Sequence, residues 1–500
     1  MSCTDKLDHL TNKVMTAASF LTPFRFLILL LIIAFQLSCN PLANHDFRPD
    51  KPRIDFSFSA DIRLSPDERR AGEKLESMRE QLLNRNRHNW SFFTSFIDWK
   101  DRIVKEELYR TLEKMPKGGI LHLHATATGD ASWIIDRALN MPECYIYWGN
   151  KSDNYVTGQL GFFPDRQIPT GWFRISEINA SRPQLKDELI RLYTIGPEDD
   201  SIPDIWTEFE AIFQRTDGFV SFRPVFIDFY RHAFETLGRD GIQFAELRTS
   251  IDPILNEDGS WTTDEHLLNL YQEIVMQVNE SYPGFTLGIV ACAWKGETLE
   301  AVRLKFERAK VLKAKYPGLI VGFDLVGEED ANQNNGYFAS VVSSNQIPLY
   351  LHGGESLSPA NHNIQDAINM HSLRISHGIN LVNFPDLERT MIRNSILLEV
   401  CPISNQVLGY VTDMREHPAL NYLRHGLQCS IGSDDPSIFR SSGLTDDFFV
   451  AYVSWRLDLR SVKKLILNSI TFSGMPVEQK QKQLDEFNIR WKIFIKSVIQ

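Results

Sequence analysis

Basic residues, paired cysteines and long apolar runs are all scarce in this chain of 500 residues. Lys and Arg number 53 against 64 Asp and Glu, which gives a formal net charge of −11 and an isoelectric point near 5.7. A nucleic-acid partner requires a basic stripe or patch, so this charge balance argues against one. The length, by contrast, is ample, because about 250 residues suffice for one large α/β domain.

Cysteine is too rare to supply a disulfide framework. The chain has six cysteines, of which Cys144, Cys292, Cys401 and Cys429 follow Cys39. Three of these four are in predicted strands, where cysteine usually serves as a small buried hydrophobe. No Pro-Cys-x-x-Cys sequence occurs either, which excludes zinc sites that take their thiolate ligands from that motif.

The most apolar run, residues 26–35, is shorter than the roughly 20 residues of a membrane-spanning helix. It follows basic residues and suits the core of an export signal, so residues 1–38 are predicted to be a signal peptide. The sequence that ends at Cys39 resembles a bacterial lipoprotein cleavage site. Three interpretations stay open: a lipid anchor at Cys39, an ordinary secretory signal, or a retained N-terminal anchor. We expect an exported protein, either secreted, periplasmic or lipid-anchored at the cell envelope.

Two segments separate this signal from the main domain. Residues 39–61 are rich in Pro, Asn and Asp and are predicted to form a linker. Residues 62–114 are predicted to form a helical arm. Ser65 suits the N-cap, proline follows it, and Glu68 at N3 completes a capping box. A second helix of the arm is expected over 99–115.

Apolar runs of strand length recur through the rest of the chain, separated by helical stretches. This pattern is typical of strands that are buried on both faces of a parallel sheet. The runs are 120–125, 242–248, 287–293, 320–326, 348–352, 374–377, 397–401 and 428–433. They predict an α/β protein, a (β/α)8 TIM barrel over 115–500, with an insertion at about 132–216 after the first strand.

The first of these strands ends in His122 and His124. Side chains at i and i+2 of a strand point to the same face, and a parallel barrel builds its active site at the carboxyl ends of its strands. An isolated pair of this kind is equally compatible with two structural histidines. The later strand ends decide against that alternative, because they add His352, Glu355, His377, Asp434 and Asp435.

Imidazoles with one carboxylate form an open, catalytic zinc site and not a closed structural one. The predicted ligands of Zn²⁺ are His122, His124, His352 and Asp434. Bound Zn²⁺ lowers the pKa of its water to about 7. Glu355 can then serve as a general acid, and His377 can orient or deprotonate the water. Asp435 points away from its neighbouring ligand and is free to contact a substrate.

With these residues in place, the sequence resembles the adenosine deaminase family, and within it the secreted, growth-factor-related branch. The motifs are Met115-Pro116-Lys117 before the histidine pair, Gly322-Phe323-Asp324-Leu325, His352-Gly353-Gly354-Glu355, Arg374-Ile375-Ser376-His377-Gly378, Glu399-Val400-Cys401-Pro402-Ile403-Ser404-Asn405 and Ser433-Asp434-Asp435-Pro436. The branch is indicated by Arg415-Glu416-His417-Pro418 and Gly443-Leu444-Thr445-Asp446-Asp447-Phe448. The resemblance covers residue 54 to the C-terminus.

The resemblance implies a role for each matching position. Glu355 matches the residue that protonates purine N1, His377 the residue that handles the attacking water, and Asp435 the contact to N7. Gly327 matches a backbone N–H donor to N3. Trp206 resembles a substrate-pocket tryptophan, with a core aromatic as the equal alternative. The helical arm resembles a dimerisation segment, with packing against the barrel as its alternative.

The chain departs from the family pattern next to the histidine pair. The family has an Asp one or two residues after the second His, associated with the ribose 5′-hydroxyl, whereas this chain has Ala125 and Thr126. Discrimination between adenosine and 5′-deoxyadenosine should be weak unless another residue, from the insertion, replaces that Asp. The insertion holds a single cysteine, Cys144, so it cannot be closed by its own disulfide.

The function predicted from the sequence is zinc-dependent hydrolytic deamination of adenosine and 2′-deoxyadenosine to the inosine nucleosides and ammonia. One alternative is deamination of another 6-aminopurine compound. A second is a signalling or receptor-binding protein with vestigial catalysis, which the complete set of site residues disfavours. A third is a two-metal hydrolase with a bridging lysine, which is disfavoured because no Lys ends a predicted strand.

Overall fold

The strands of the protein fall into a parallel set and a small antiparallel set. The computed structural model describes residues 56–89, 91–150, 154–164, 167–196 and 204–500. Its strands are β1 (Gly118–Ile120), β2 (Tyr145–Tyr147), β3 (Leu160–Gly161), β4 (Trp172–Arg174), β5 (Ile242–Thr249), β6 (Thr286–Trp294), β7 (Ile320–Val326), β8 (Tyr350–Gly353), β9 (Arg374–His377), β10 (Leu397–Val400) and β11 (Cys429–Ile431).

The parallel strands close into a barrel. In the described part of the chain, two four-stranded sheets have the orders β1-β5-β6-β7 and β11-β10-β9-β8, and every neighbouring pair is parallel. The bridge between Phe323 and Leu349 joins β7 to β8, and the bridge between Leu123 and Asp434 joins the end of β1 to the end of β11. The predicted (β/α)8 barrel is thereby confirmed.

Helices follow the strands and cover the outside of the barrel. The helices are α1 (Pro66–Arg85), α2 (Ser91–Thr94), α3 (Phe96–Ile103), α4 (Glu107–Glu113), α5 (Ala131–Leu139), α6 (Ile175–Ser181), α7 (Leu185–Leu192), α8 (Ile205–Val220), α9 (Arg223–Arg239), α10 (Asp264–Ser281), α11 (Leu299–Lys315), α12 (Asn363–Asn369), α13 (Pro385–Asn394), α14 (Pro402–Val407), α15 (Ala419–His425), α16 (Thr445–Ser454), α17 (Leu459–Thr471) and α18 (Val477–Ile499). None of these described helices is long and apolar enough to cross a membrane.

The first strand is shorter than predicted. Its regular pairing ends at Ile120, and beyond it the chain keeps single bridges, at Leu123 to β11 and at His124 to Arg248 of β5. The histidine pair therefore lies at the tip of β1, where the strand leaves the barrel and opens toward the mouth.

The helical arm packs on its own chain. The capping box of α1 is confirmed, because the Ser65 hydroxyl accepts from the Glu68 amide and the Ser65 amide donates to the Glu68 carboxylate. Glu68 also accepts from Trp491 of α18 at 2.7 Å and from Lys463 of α17 at 2.6 Å. These contacts agree with the alternative in which the arm packs against its own barrel. Dimerisation through the arm stays a prediction.

Two expectations about the N-terminal region change. The single helix expected over 99–115 is wrong: α3 ends at Ile103 and α4 starts at Glu107. Phe56 and Phe58 are buried, so the end of the 39–61 segment belongs to the packed unit and is not linker. The signal peptide 1–38, Cys39 and the rest of that segment lie outside the described residues.

The insertion after β1 has its own small sheet, in which β2 pairs antiparallel with β3 and with β4. Helices α5 to α8 surround it, and α8 continues past the predicted end of the insertion to Val220. Cys144 is buried within it, and all four cysteines in the described part of the chain are free thiols.

Candidate active site

The tips of β1, β8 and β11 bring three imidazoles and one carboxylate together. The Nε2 atoms of His122 and His124 lie 3.0 and 3.2 Å from one Asp434 oxygen. The His352 ring is centred 4.7 Å from that of His122 and 5.3 Å from that of His124. The four residues predicted to bind metal thus lie together, and their possible ligand atoms form two groups that share Asp434: one with His122, His352 and His377, the other with His124 and Asp435.

A second layer of polar groups orients two of these imidazoles. His352 donates from Nδ1 to Asp324 at 2.8 Å, and His122 Nδ1 lies 2.9 Å from the Ser376 hydroxyl and 3.0 Å from Glu399. A carboxylate on one ring nitrogen fixes the tautomer and leaves the lone pair of the other for a metal. The Nε2 atoms of both histidines therefore face the centre in the form that binds a cation.

Arg248 contacts both carboxylates that support the histidines, Asp324 and Glu399. Its guanidinium is fully buried and donates to Asp324 at 2.7 Å, to Glu399 at 2.6 Å and to the Leu121 carbonyl at 2.6 Å. Arg374 binds the other Glu399 oxygen at 2.6 Å. Burial alone would raise the pKa of Asp324 and Glu399, but these arginines and the adjacent histidines bring both pKa values well below normal.

The protonation states suit a divalent cation. Burial lowers the pKa of His124, and it lowers the pKa of His352 to about 3, so both rings are neutral at physiological pH. Burial would raise the pKa of Asp434, but the neighbouring imidazoles and their hydrogen bonds lower it well below normal. Neutral nitrogens with one ionised oxygen form the donor set that Zn²⁺ takes in catalytic sites. The residues present therefore fit the metal.

Two further acids behave in the opposite way. Glu355 and Asp435 are almost completely buried, and burial, reinforced by the charge of Asp434, raises both pKa values well above normal. One oxygen of each, Oε1 of Glu355 and Oδ1 of Asp435, has no hydrogen-bond partner among the described residues. Burial therefore favours the neutral, proton-donating form of each carboxyl, and each has capacity left for a ligand.

His377 completes the cluster. One possible ligand atom of His377 lies within 4.8 Å of such an atom in each of His122, His352 and Asp434, and those three atoms are equally close to one another. Its Nε2 atom has no hydrogen-bond partner among the described residues. His377 and Asp434 both have positive φ, of 66° and 60°. Such a backbone is strained for residues other than glycine, and strain of this kind collects at functional sites.

Comparison with known proteins identifies this arrangement. A family model described as adenosine deaminase matches residues 198–489. The chain is 31% identical over 443 residues to adenosine deaminase 2 of Dictyostelium discoideum, with 85% of this chain and 81% of that protein covered. It is 29% identical to adenosine deaminase 2 of Sus scrofa, with 86% and 89% covered. This chain belongs to the adenosine deaminase family.

Solved structures share the fold of this family member. An adenine deaminase from Arthrobacter aurescens superposes with a TM-score of 0.54 at 20% identity, covering 75% of this chain and 99% of that one. An amidohydrolase from Burkholderia ambifaria with bound Zn superposes with a TM-score of 0.56 at 12% identity, covering 78% and 94%. At these identities the similarity establishes the barrel and not the substrate.

The remaining predicted residues lie around the mouth of the barrel. Gly327 follows β7 with φ of 109°, and a Cβ atom there would stand 2.5 Å from the Trp294 ring, so a side chain is excluded. Trp206, on α8, donates from its indole to the Tyr410 hydroxyl at 2.9 Å. Burial raises the pKa of Tyr410, and the nearby Glu355 carboxyl contributes to the shift, which places this pair beside Glu355.

The departure at Ala125 and Thr126 has a counterpart on α8. Asp217, near the end of that helix, lies close enough to the Thr126 side chain for Thr126 to lower its pKa. The Asp217 residue is exposed to solvent, yet desolvation by the surrounding protein outweighs Thr126 and raises the pKa of its carboxyl to about 6. Helix α8 therefore brings an accessible carboxylate to the loop where the chain itself lacks one.

Sequence reasoning missed the residues that support the site. They are Arg248, Asp324, Ser376, Glu399, Asn405, Tyr410 and Asp217. Asp324 and Glu399 did carry a signal, because an acidic residue inside an apolar strand must find a partner when it is buried. Arg248 and Asp217 carried none, since their partners are distant in sequence.

Proposed function

We propose that this protein deaminates adenosine and 2′-deoxyadenosine by hydrolysis, releasing ammonia and the corresponding inosine nucleoside. The observation that carries the proposal is the position of Glu355, buried and with its pKa raised well above normal, beside a cluster of imidazoles with one carboxylate. Hydrolysis at C6 of a 6-aminopurine requires an acid for the ring nitrogen and an activated water, and this cluster offers a place for both.

The metal would be one Zn²⁺ per chain, held by His122, His124, His352 and Asp434. When bound, zinc lowers the pKa of a coordinated water and so supplies a nucleophile at neutral pH. The supporting carboxylates Asp324 and Glu399 favour this assignment, because they are the partners that hold ligating histidines in place.

The chain's own side chains would bind and protonate the base. Glu355 holds a proton and would give it to N1, which makes C6 more electrophilic. Asp435, also neutral, would donate to the N7 lone pair, and the Gly327 amide would donate to N3. Trp206 and Tyr410 would close the pocket on the side of Glu355 and exclude bulk water from it.

Asp217 would bind the ribose 5′-hydroxyl. A carboxylate accepts at about four lone-pair positions, so the nearby Thr126 leaves room for a ligand hydroxyl. Because Asp217, Asp252 and Glu328 are all acidic and near the mouth, a neutral nucleoside fits better than a 5′-phosphorylated one. This assignment replaces the expectation of weak 5′-hydroxyl recognition with one of clear recognition.

A substrate panel tests the proposal. Purified, zinc-loaded protein is assayed spectrophotometrically with adenosine, 2′-deoxyadenosine, free adenine and adenosine 5′-phosphate, and ammonia release is measured in parallel. Turnover of the two nucleosides above the other two supports the proposal. Turnover of adenine or of the nucleotide alone would support the alternative of another 6-aminopurine substrate. Metal analysis of wild type and His352→Ala tests the zinc assignment, since the variant should lose its metal.

For the N-terminal region we propose export, with residues 1–38 removed. The supporting features are the basic residues, the apolar run 26–35 and Cys39 in a lipoprotein-like sequence. Fractionation of cells that express wild type and Cys39→Ser separates the interpretations: a membrane-bound wild type and a released variant support the lipid anchor. Equal soluble fractions support an ordinary secretory signal. Sedimentation of the purified protein tests the proposed homodimer.

A further inference from the structure

A line of buried polar groups runs behind His377, on the side away from the metal ligands. The Ala419 amide donates to His417 Nδ1 at 3.1 Å. His417 Nε2 lies 3.2 Å from the Asn405 Oδ1 atom, and Asn405 Nδ2 lies 3.1 Å from His377 Nδ1. The three side chains are 2% exposed or less. The line joins the N-terminus of α15 and the middle of α14 to the tip of β9.

The direction of each hydrogen bond follows from its fixed end. A backbone N–H can only donate, so His417 Nδ1 must accept. Burial lowers the pKa of His417 to about 3, so the ring is neutral and its proton is on Nε2. That N–H donates to Asn405, which identifies the amide oxygen. The amide nitrogen therefore faces His377 and donates to its Nδ1.

We propose that His417 and Asn405 are positioning residues that hold His377 as the tautomer with its proton on Nε2. His377 then presents an N–H to the centre and meets the attacking water as a hydrogen-bond donor, so it orients the water and does not take its proton. The catalytic part of this inference depends on the proposed function, whereas the tautomer does not.

Glu355 makes a contact with His377 that could compete with the hydrogen bond from Asn405. Glu355 Oε1 lies 3.3 Å from His377 Nδ1, and an ionised Glu355 would favour a proton on that nitrogen. This Glu355 oxygen makes no hydrogen bond among the described residues, whereas the Asn405 amide does bond to His377 Nδ1. Burial also raises the pKa of Glu355 well above normal, which disfavours the ionised form. Trp455 holds the other end of the line, because its ring packs 5.0 Å from that of His417 while its indole N–H donates to the Met414 carbonyl at 3.0 Å.

Two substitutions act on the line in different ways. Asn405→Asp replaces the amide donor with an acceptor of the same shape, so His377 should move its proton to Nδ1. His417→Phe keeps the packing on Trp455 but leaves the amide free to turn over. His425→Phe is the matched control, since it removes an imidazole from α15 that contacts Glu388 and is far from the line.

The test combines spectroscopy with kinetics. In metal-free protein with ¹⁵N-labelled histidine, two-bond ¹⁵N–¹H couplings identify the tautomer of His377, assigned by its loss in His377→Gln. Wild type and His425→Phe should show the Nε2–H form, Asn405→Asp the Nδ1–H form, and His417→Phe a mixture. In zinc-loaded protein, Asn405→Asp should lower kcat by at least about 10²-fold and His417→Phe by about tenfold, with KM and zinc content retained.

The outcomes separate the two claims. An Nδ1–H tautomer in wild type, or an unchanged tautomer in Asn405→Asp, overturns the inference whatever the enzyme does. The expected tautomers with unchanged kcat in both variants would also overturn it, because the tautomer would then not matter for turnover. A wild type that deaminates no adenine nucleoside counts against the proposed function, while the couplings still decide whether His417 and Asn405 set the tautomer.

Discussion

Buried carboxylates at two levels of the barrel have pKa values that are shifted in opposite directions. Asp324 and Glu399 form the level that we call the floor, and Glu355 and Asp435 lie at the mouth. On the floor, Asp324 and Glu399 are ionised, with pKa values far below normal. At the mouth, the pKa values of Glu355 and Asp435 are well above normal, which favours their neutral form. Burial raises the pKa in all four cases. The difference lies in the charges nearby, because buried arginines contact the floor and other carboxylates surround the mouth.

This difference suits the two pairs of carboxylates to different tasks within one barrel. Floor carboxylates with arginine partners stay charged and can orient the metal-binding histidines. Mouth carboxylates without such partners favour the protonated form, which is the form that the proposed general acid requires. Arg248 is central to the arrangement, since it donates to both floor carboxylates and so prevents the like charges from repelling each other.

The largest effect is expected from Arg248→Met. Removing one partner of a buried ion pair leaves charges without compensation and typically costs about 3–5 kcal/mol of stability. Asp324 would then lose its buried arginine and Glu399 would keep only Arg374, so the histidines that these carboxylates orient should bind zinc poorly. Chemical denaturation and metal analysis measure the two effects.

A matched control for that variant is Arg308→Met, which removes a half-exposed arginine that pairs with Asp264 on the barrel surface. Exposed pairs contribute about 0–1 kcal/mol, so this variant should stay close to wild type. Equal stability and full zinc content in Arg248→Met would mean that the floor network does not hold the site together.

A smaller but still large effect is expected from Glu355→Gln at the mouth. The amide keeps the shape but cannot deliver a proton to N1, so kcat should fall by at least about 10²-fold with zinc retained. Steady-state kinetics and metal content measure this. Glu328→Gln is the control, because Glu328 is a neighbouring acid whose pKa burial also raises. A variant of Glu355 with near-normal turnover would remove it from the role of general acid.

The sequence predicted the barrel and the convergent residues because both follow from strand patterns. The predicted bounds of β7 and β9 match the observed ones. An apolar run that ends in polar residues marks β7, whereas β9 has one apolar residue, Ile375, between polar ones. His352 and Asp434 could be placed together because parallel strands end at one edge of a barrel. No structure was needed for either inference.

The rest depends on contacts between distant parts of the chain, which no local pattern contains. Asp217 of α8 lies close to Thr126, about 90 residues earlier in the chain, and Asn405 reaches His377 because α14 begins directly after β10. The break between α3 and α4 has a similar origin. Lys100 on α3 and Tyr109 on α4 both bind Asp446 of α16, which sets the two helices by tertiary contact.

The smallest expected effect concerns Asp217 and substrate choice. In Asp217→Asn the ribose 5′-hydroxyl would lose a charged acceptor, and hydrogen bonds to charged groups contribute about 1.5–3 kcal/mol. The variant should lose about 10- to 100-fold in kcat/KM for adenosine and retain its kcat/KM for 5′-deoxyadenosine. Asp252→Asn, which removes a nearby exposed carboxylate, should leave the ratio of the two substrates unchanged.

The acidity of Asp217 gives this prediction a pH dependence. Desolvation by the surrounding protein raises its pKa to about 6 although the residue is exposed, so the carboxylate is charged at neutral pH and gains a proton as the pH falls through about 6. The preference of wild type for adenosine over 5′-deoxyadenosine should therefore weaken below that pH and level off above it. The ratio of the two kcat/KM values, measured from pH 5 to 8, cancels the titration of groups that serve both substrates. In Asp217→Asn the ratio should be low and flat across the range. An equal loss on both substrates in this variant would instead assign Asp217 a structural role, and a wild-type ratio that does not change with pH would mean that its charge does not recognise the 5′-hydroxyl.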